Sequence, residues 1–309
     1  MILLDYSAIL HPNVYMNKET IIENPKFVAH LMLTQIDLYM KKFGASRQNP
    51  MVICLDSPSW RKDYYIENRS KFEGMEEMEY KGNRKKDPDM PWDEIYKVNE
   101  ELCSCLSKYS DIFVLKVDKA EADDIIATIS KKRNDTIWII SPDKDFVQCI
   151  KDNVHIYDFR KNIFKTDMNI DVFKKVHIIS GDASDNIPPI RKRWGEKTAL
   201  KKLKELDDLL ATDPELRERY EFNEKLICLD KIPEYISDKV MKELEQQEFN
   251  FNTINLMKEF MKLNLSKFSE NINSFKLPTD EVKTKLNQFF KNTESSTLFS
   301  DNSLEDLFN

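Results

Sequence analysis

No apolar run in the chain approaches the ~20 residues needed to cross a bilayer. No hydrophobic leader precedes the first apolar strand, so the expectation is a cytoplasmic protein. The five cysteines (Cys54, Cys103, Cys105, Cys149, Cys228) contain no CxxC pair, and an odd number argues for free thiols over a disulfide framework. Only four histidines occur, widely scattered, which argues against a zinc site. An excess of positive charge is also missing. Lysine and arginine total 47 against 54 acids, a net charge of −7, which excludes a uniformly basic nucleic-acid binder. No internal repeat is visible. What remains is a globular protein of 309 residues, 41% hydrophobic and 33% charged, long enough for one large domain or two modest ones.

Short apolar runs alternate with amphipathic stretches. "ILL" (2–4), "MVICL" (51–55), "IFVLKV" (112–117), "TIWIIS" (136–141) and "VHIYDF" (154–159) read as strands. Helical patterns cover about 25–43, 92–108 and 119–133, and nearly everything from about Phe173 to Lys291. Such alternation predicts an α/β fold, with a mostly parallel central sheet flanked by helices on both faces. Residues 58–91 lose periodicity but hold Trp60, Tyr64, Tyr65, Phe72 and Tyr80, a long excursion of the kind that serves function. The last residues, 292–309, are polar and read as a flexible tail.

Carboxylates recur where those strands end. Asp5 closes the first strand and Asp56 the second; Asp143 and Asp145 follow the fourth; Glu121, Asp123 and Asp124 open the helix after the third. In an open parallel sheet the carboxyl ends of the strands line the ligand crevice, so acids distant in sequence should converge. Two such charges ~4 Å apart repel by roughly 4 kcal/mol at an effective dielectric of 20, so a cluster requires protons or a cation. Oxygen-only donors favour hard ions such as Mg²⁺, with Mn²⁺ able to substitute. Taken alone, Glu121, Asp123 and Asp124 also suit the positive end of a helix dipole, and Asp143 a turn or cap. Their joint occurrence favours a shared metal site. Asp182 and Asp185, in "GDASDN" (181–186), add a further acidic element.

Immediately after it the charge reverses. From Ile187 to Lys204 seven basic residues, among them Arg191, Lys192, Arg193, Lys197 and Lys201, face one acid, Glu196, a net +6 in an acidic protein. A turn at Gly195 followed by a helix starting near Lys197 or Thr198 suits phosphate, and the lysines add sequence-independent affinity. Nothing there offers base readout. A second basic knot, "KGNRKK" (81–86), holds Lys81, Arg84, Lys85 and Lys86, with Lys81 and Arg84 one helical turn apart if the segment is helical. Metal-binding carboxylates beside phosphate-binding cations suit phosphodiester chemistry, in which two metals activate water and stabilise the leaving oxygen.

The stretches "LLDYS" (3–7), "CLDSPSWRKD" (54–63), "YKGNR" (80–84), "KAEADDIIA" (119–127), "ISPDKDF" (140–146) and "GDASDNIP" (181–188) together resemble the flap endonuclease/5′→3′ exonuclease family, in the family's order, over about residues 1–205. The resemblance implies a PIN-like nuclease core (1–180) with an arch at about 58–91. It implies a helical duplex-binding region (181–291) containing a helix–hairpin–helix-type element at 186–205. It implies one metal site at Asp5, Asp56, Asp123 and Asp143, with Glu121 and Asp124 nearby, and a second at Asp145, Asp182 and Asp185. Lys81 and Arg84, in the arch, would position the scissile phosphate. Arg61, Lys62, Lys85, Lys86 and the residues from Arg191 to Lys201 would hold nucleic acid. The implied substrates are duplex, RNA–DNA hybrid and 5′-flap, cleaved during primer removal from lagging-strand fragments. Such an enzyme would be a monomer without membrane contact that works alongside a single-strand DNA-binding protein. One departure stands out. The family hairpin reads "PGVxGIGxKTA", whereas this chain has "PPIRKRWGEKTA", with Pro189 and Arg193 where glycines are expected. That weakens the case for a bound monovalent cation there.

The tail "SLEDLFN" places Leu304, Leu307 and Phe308 at helical spacing and resembles the peptides by which phage replication proteins dock on a sliding clamp. Two other classes fit less well. A non-catalytic binding scaffold would tolerate gaps among the acids, and none is found. A phosphatase-like hydrolase with an Asp nucleophile would want D-x-D after the first strand, where Asp5 is followed by Tyr6 and Ser7.

Overall fold

The computed structural model describes residues 1–165 and 169–279, so the docking peptide at Leu304, Leu307 and Phe308 lies outside the described residues. Six strands form one sheet: β1 (Ile2–Asp5), β2 (Met51–Leu55), β3 (Phe113–Lys116), β4 (Ile137–Ile140), β5 (Val154–Asp158) and β6 (Ile163–Lys165). Their spatial order is β3-β2-β1-β4-β5-β6, and all neighbours are parallel except the β5–β6 pair. The expected five strands are present. β6 was not expected: three residues, largely exposed, carry no alternating pattern, and the strand exists as an antiparallel edge on β5.

The helices in chain order are α1 (Tyr6–Met16), α2 (Lys18–Glu23), α3 (Phe27–Lys42), α4 (Trp60–Asn68), α5 (Trp92–Tyr109), α6 (Ala122–Lys132), α7 (Ile170–Ser180), α8 (Glu196–Lys202), α9 (Leu206–Thr212), α10 (Pro214–Ile227), α11 (Glu234–Glu245), α12 (Thr253–Lys262) and α13 (Ser266–Ser269). Successive strand residues point to opposite faces. Ile2, Leu4, Ile53 and Ile140 therefore enter one core with α1, α3, α5 and α12, while Leu3, Val52, Leu115 and Ile139 enter the other with α6 and α11. Both faces are covered, which is why the strands read as continuous apolar runs. Among the described residues no helix is long and apolar enough to cross a membrane. All five cysteines are free, as expected.

The excursion after β2 has a core of its own. Tyr65, Phe72, Met75 and Tyr80 pack with Phe222 and Leu226 of α10. Its first part is helical (α4), contrary to the aperiodic reading, because Ser59 caps it by accepting from the Arg61 amide at 3.1 Å. After β5 and β6 the chain turns helical. Ile179 at the end of α7, Ile190 and Ala199 of α8 form a small separate cluster with Leu206 and Leu216. Gly181, at φ +68°, ends α7 where a Cβ would lie 2.3 Å from the Ile187 carbonyl oxygen, so only glycine fits this turn. Arg193, one of the two departures from the family hairpin, adopts φ +69°. The left-handed backbone that glycine would take without strain is kept, at a cost of roughly 1–2 kcal/mol.

Candidate active site

Sheet order brings the acids together. β1 lies between β2 and β4, so the carboxyl ends carrying Asp5, Asp56 and Asp143 are neighbours. Asp5 and Asp56 each accept hydrogen bonds on both carboxylate oxygens. Asp5 caps α1 by accepting from the Ala8 amide (3.2 Å) and accepts the buried Ser141 hydroxyl (2.8 Å). Ser141 also accepts the Asp143 amide (3.1 Å), so one hydroxyl ties the ends of β1 and β4. Asp56 accepts from Ser7 (2.5 Å) and from the Ala122 amide at the start of α6 (2.8 Å). Asp143 accepts the Asp145 amide at 2.9 Å.

The electrostatics show what this half lacks. Burial, then the charges of Asp56 and Asp143, push Asp5 up to about 7, even though the Ser141 bond opposes the shift. Burial, then Asp143 and Asp5, push Asp123 far above the carboxylate range. Without a counter-ion these acids hold protons. Among the described residues no three of Asp5, Asp56, Asp123 and Asp143 bring donor atoms within 4.8 Å of one another.

The second set is arranged differently. Asp145, His177 and Asp182 do bring donor atoms within 4.8 Å of one another. His177, only 4% exposed, lies with Nε2 3.1 Å from Asp182 Oδ2 and Nδ1 3.3 Å from Asp145 Oδ1. Asp182 also accepts the Ser184 amide (2.8 Å) and hydroxyl (2.6 Å). Burial alone would raise its pKa; the bonds from His177 and Ser184 hold it well below the usual range. Burial raises Asp145 to about 7, against the pull of His177. Scattered histidines argue against a zinc site; the fold nevertheless brings His177 beside Asp145 and Asp182, a meeting that depends on where α7 docks. The spacing of His177 to Asp182, across the end of α7, was the one local signal.

The turn at Tyr80–Arg84 packs against this half. Lys81 reaches the Glu121 carboxylate and lies 3.8 Å from Asp185; Arg84 pairs with Asp185 at 2.5 Å. Burial works against the Lys81 charge, but Glu121, Asp185 and Asp123 raise its pKa. Burial likewise raises Glu121, and Lys81 and Arg61 more than reverse it. The Tyr80 hydroxyl lies 3.0 Å from Glu121 and 2.9 Å from Asp185. The Lys81 and Asn83 donors bond to the Asp185 and Ala183 carbonyls, at 2.9 and 2.6 Å, and Asn186 returns one to Glu79 at 2.8 Å. Lys81 and Arg84 do converge, but through a turn in which Lys81 takes φ +57°, not along a helix face.

Two expected roles are contradicted. Asp124, fully buried, faces away from the crevice: it accepts Arg61 (2.7 Å), the Trp60 indole (3.1 Å) and the Glu121 amide (3.0 Å), which caps α6 and leaves little capacity for a metal. Arg61 is 3% exposed and committed to Asp124, Glu121 and the Leu226 carbonyl, so it offers no surface to nucleic acid. The remaining cations Lys62, Lys85, Lys86, Arg191, Lys192, Arg193, Lys197 and Lys201 are exposed, Arg191 being paired with Asp213 at 2.5 Å. Thr198 is half-buried at the start of α8, and at Gly195 a Cβ would meet open space. Besides His177, Lys165 was missed. Lys165 on β6 donates to the carbonyls of Pro142 and Asp143 and so braces the loop that carries the two aspartates.

A resolvase-like, PIN-type sheet whose strand ends gather acids beside exposed cations defines a nuclease. More particularly, residues 1–178 match the model of the 5′-3′ exonuclease N-terminal, resolvase-like domain, and the chain belongs to that family of flap endonucleases and 5′-3′ exonucleases. It is 28% identical to the ribonuclease H of Enterobacteria phage T4 over 304 residues, 87% of this chain and 94% of the relative. Its fold is similar to a zinc-bound bacteriophage T5 5′-exonuclease (TM-score 0.60, 19% identity, 80% of this chain and 99% of that one). It is also similar to a T5 flap endonuclease complexed with DNA and metal ions (TM-score 0.56, 18% identity, 79% and 97%).

Proposed function

We propose that this chain is a metal-dependent, structure-selective 5′ nuclease that hydrolyses DNA duplexes and RNA–DNA hybrids from 5′ to 3′, cleaves 5′ flaps, and removes RNA primers from lagging-strand fragments in phage replication. The observation that carries the reading is the gathering of Asp5, Asp56 and Asp143 at adjacent strand ends beside Asp123 in the first turn of α6, with Asp5 and Asp123 raised in pKa by burial and by the neighbouring acids. The donor set fits divalent ions. Asp5, Asp56, Asp123 and Asp143 would hold one, and Asp145 with Asp182 and Asp185 a second, some through water; Mg²⁺ suits the all-oxygen first set. Bound there, divalent ions supply an activated water and stabilise the charge on the leaving oxygen.

The rest belongs to the chain. Lys81 and Arg84, now on Glu121 and Asp185, would exchange those partners for the scissile phosphate, the guanidinium in bidentate fashion. Lys62, Lys85, Lys86 and the exposed cations from Lys192 to Lys201 would hold the phosphate backbone, without reading sequence. Gly195 leaves room for a backbone to approach.

A 5′-labelled flap and an RNA–DNA hybrid, each with Mg²⁺ and with EDTA, test the reading. Products confined to the Mg²⁺ arms are expected; no Mg²⁺-dependent product overturns it. Adding the phage sliding clamp should stimulate the full chain and not one truncated at 298–309. Stimulation of both would remove the docking role of Leu304, Leu307 and Phe308.

A further inference from the structure

The Asp145–His177 contact leaves two buried polar atoms without partners. His177 Nε2 lies 3.1 Å from Asp182 Oδ2, and the other ring nitrogen, Nδ1, lies 3.3 Å from Asp145 Oδ1. Nδ1 and Oδ1 are buried, and neither has a hydrogen-bond partner. Asp145, His177 and Asp182 bring donor atoms within 4.8 Å of one another. Leaving such groups unsatisfied is costly. A cation bound to both would satisfy them. Two ligands ~2.1 Å from one ion stand about 3.0 Å apart at octahedral angles and about 3.4 Å apart at tetrahedral ones, which brackets the observed separation. The Nε2–Asp182 bond is then the carboxylate–histidine–metal arrangement that fixes a ligating ring and raises its basicity.

We propose that His177 ligates the second metal ion through Nδ1, adding nitrogen to the Asp145, Asp182 and Asp185 set of the reading above, with Asp182 also orienting the ring, and that this site takes a first-row transition-metal ion such as Mn²⁺ in preference to Mg²⁺. The proposal rests on the two-metal reading above and assigns that reading's second site. Imidazole adds a borderline-soft donor, which raises affinity for first-row transition metals while Mg²⁺ gains little. The two halves of the crevice then differ in metal preference: all-oxygen around Asp5, nitrogen-containing around Asp145.

The test is Mn²⁺ binding to the full chain, by titration and by pulsed electron paramagnetic resonance, which detects ¹⁴N coupled to a bound ion. Two ions should bind, one carrying the ¹⁴N signature of imidazole. Mg²⁺ should displace that ion only at concentrations about tenfold or more above those that clear the other. His177→Leu should abolish the signature and weaken one site about 10–100-fold. Should that variant not fold, His177→Gln takes its place, and the wild-type spectrum decides independently. Two bound ions without ¹⁴N coupling, or a signature that survives loss of His177, overturns the histidine assignment and leaves the two-metal reading standing. No Mn²⁺ binding overturns both.

Discussion

The two halves of the crevice hold similar acids and balance them in opposite ways. Around Asp5 and Asp123 the protein supplies little positive charge: Lys81 acts on Asp123 but bonds Glu121, and burial and the neighbouring acids raise both pKa values. Around Asp182 and Asp185 it supplies the charges of Arg84 and Lys81 and the hydrogen-bonding ring of His177, and the acids are compact and partnered. The first half demands a cation from outside. The second already has internal counter-charges that an incoming ion or phosphate must rearrange. A strongly perturbed carboxylate therefore marks the place where the ion is indispensable, and a satisfied one marks where binding is an exchange.

Asp123→Asn against Asp182→Asn tests this contrast most severely. Removing Asp123 should cut cleavage on the order of 10²–10³-fold, yet raise the melting temperature of the metal-free protein, because folding no longer has to bury an acid against its preference to ionise. Removing the Asp182 charge should also impair cleavage, but lower the metal-free melting temperature. It weakens charge-assisted bonds with His177 and Ser184 worth about 1.5–3 kcal/mol, several degrees in a chain of this size. Calorimetry in EDTA decides: shifts of the same sign in both variants would break the comparison.

The pH profile gives a smaller effect with a definite sign. Asp5 and Asp145, at about 7 when folded against a reference of 3.8, bind protons more tightly in the native state. Between about pH 4 and 7 the native state therefore carries more protons, and stability falls as pH rises through that window. Asp182, depressed, works the other way: its contribution is present above its unfolded pKa and is lost as pH falls through the lower folded value. The EDTA-treated protein should melt several degrees higher near about pH 5.5 than near about pH 7.5, with Asp5→Asn flattening the slope. Saturating Mg²⁺ should cancel the trend, since ligation requires the deprotonated acids. A flat metal-free profile would mean that the first half is not short of positive charge.

What could be read in the sequence followed the range of the interactions involved. Asp5, Asp56 and Asp143 were legible because each ends an apolar run, and a parallel sheet delivers strand ends to one crevice. Asp124 and Arg61 misled because an acid in the first turn of a helix serves as cap or ligand with the same spacing; only its burial against Trp60 decides. β6 was too short and too exposed to carry a pattern. His177 was invisible as a partner of Asp145, since that contact runs between α7 and the loop after β4. The left-handed turn at the hairpin was legible from the family's glycines but not from this chain, where Arg193 holds it.

Arg84→Ala probes the smallest expected effect and bears directly on the exchange in the second half. Arg84 is 57% exposed and Asp185 19%, so their ion pair is screened by water and worth about 0.2–1 kcal/mol. Its loss should leave the melting temperature nearly unchanged, although cleavage should fall because a phosphate ligand is gone. Asp185 would no longer need to give up a guanidinium before meeting an ion. The Mn²⁺ affinity of the second site should therefore rise, by at most about fivefold on the free energy of the broken pair. Opposite signs for affinity and activity are what distinguish a counter-charge that competes with the metal from one that merely supports the fold. An affinity that fell with activity would show that Arg84 holds Asp185 in place for the ion, and the two halves would then differ in arrangement but not in kind.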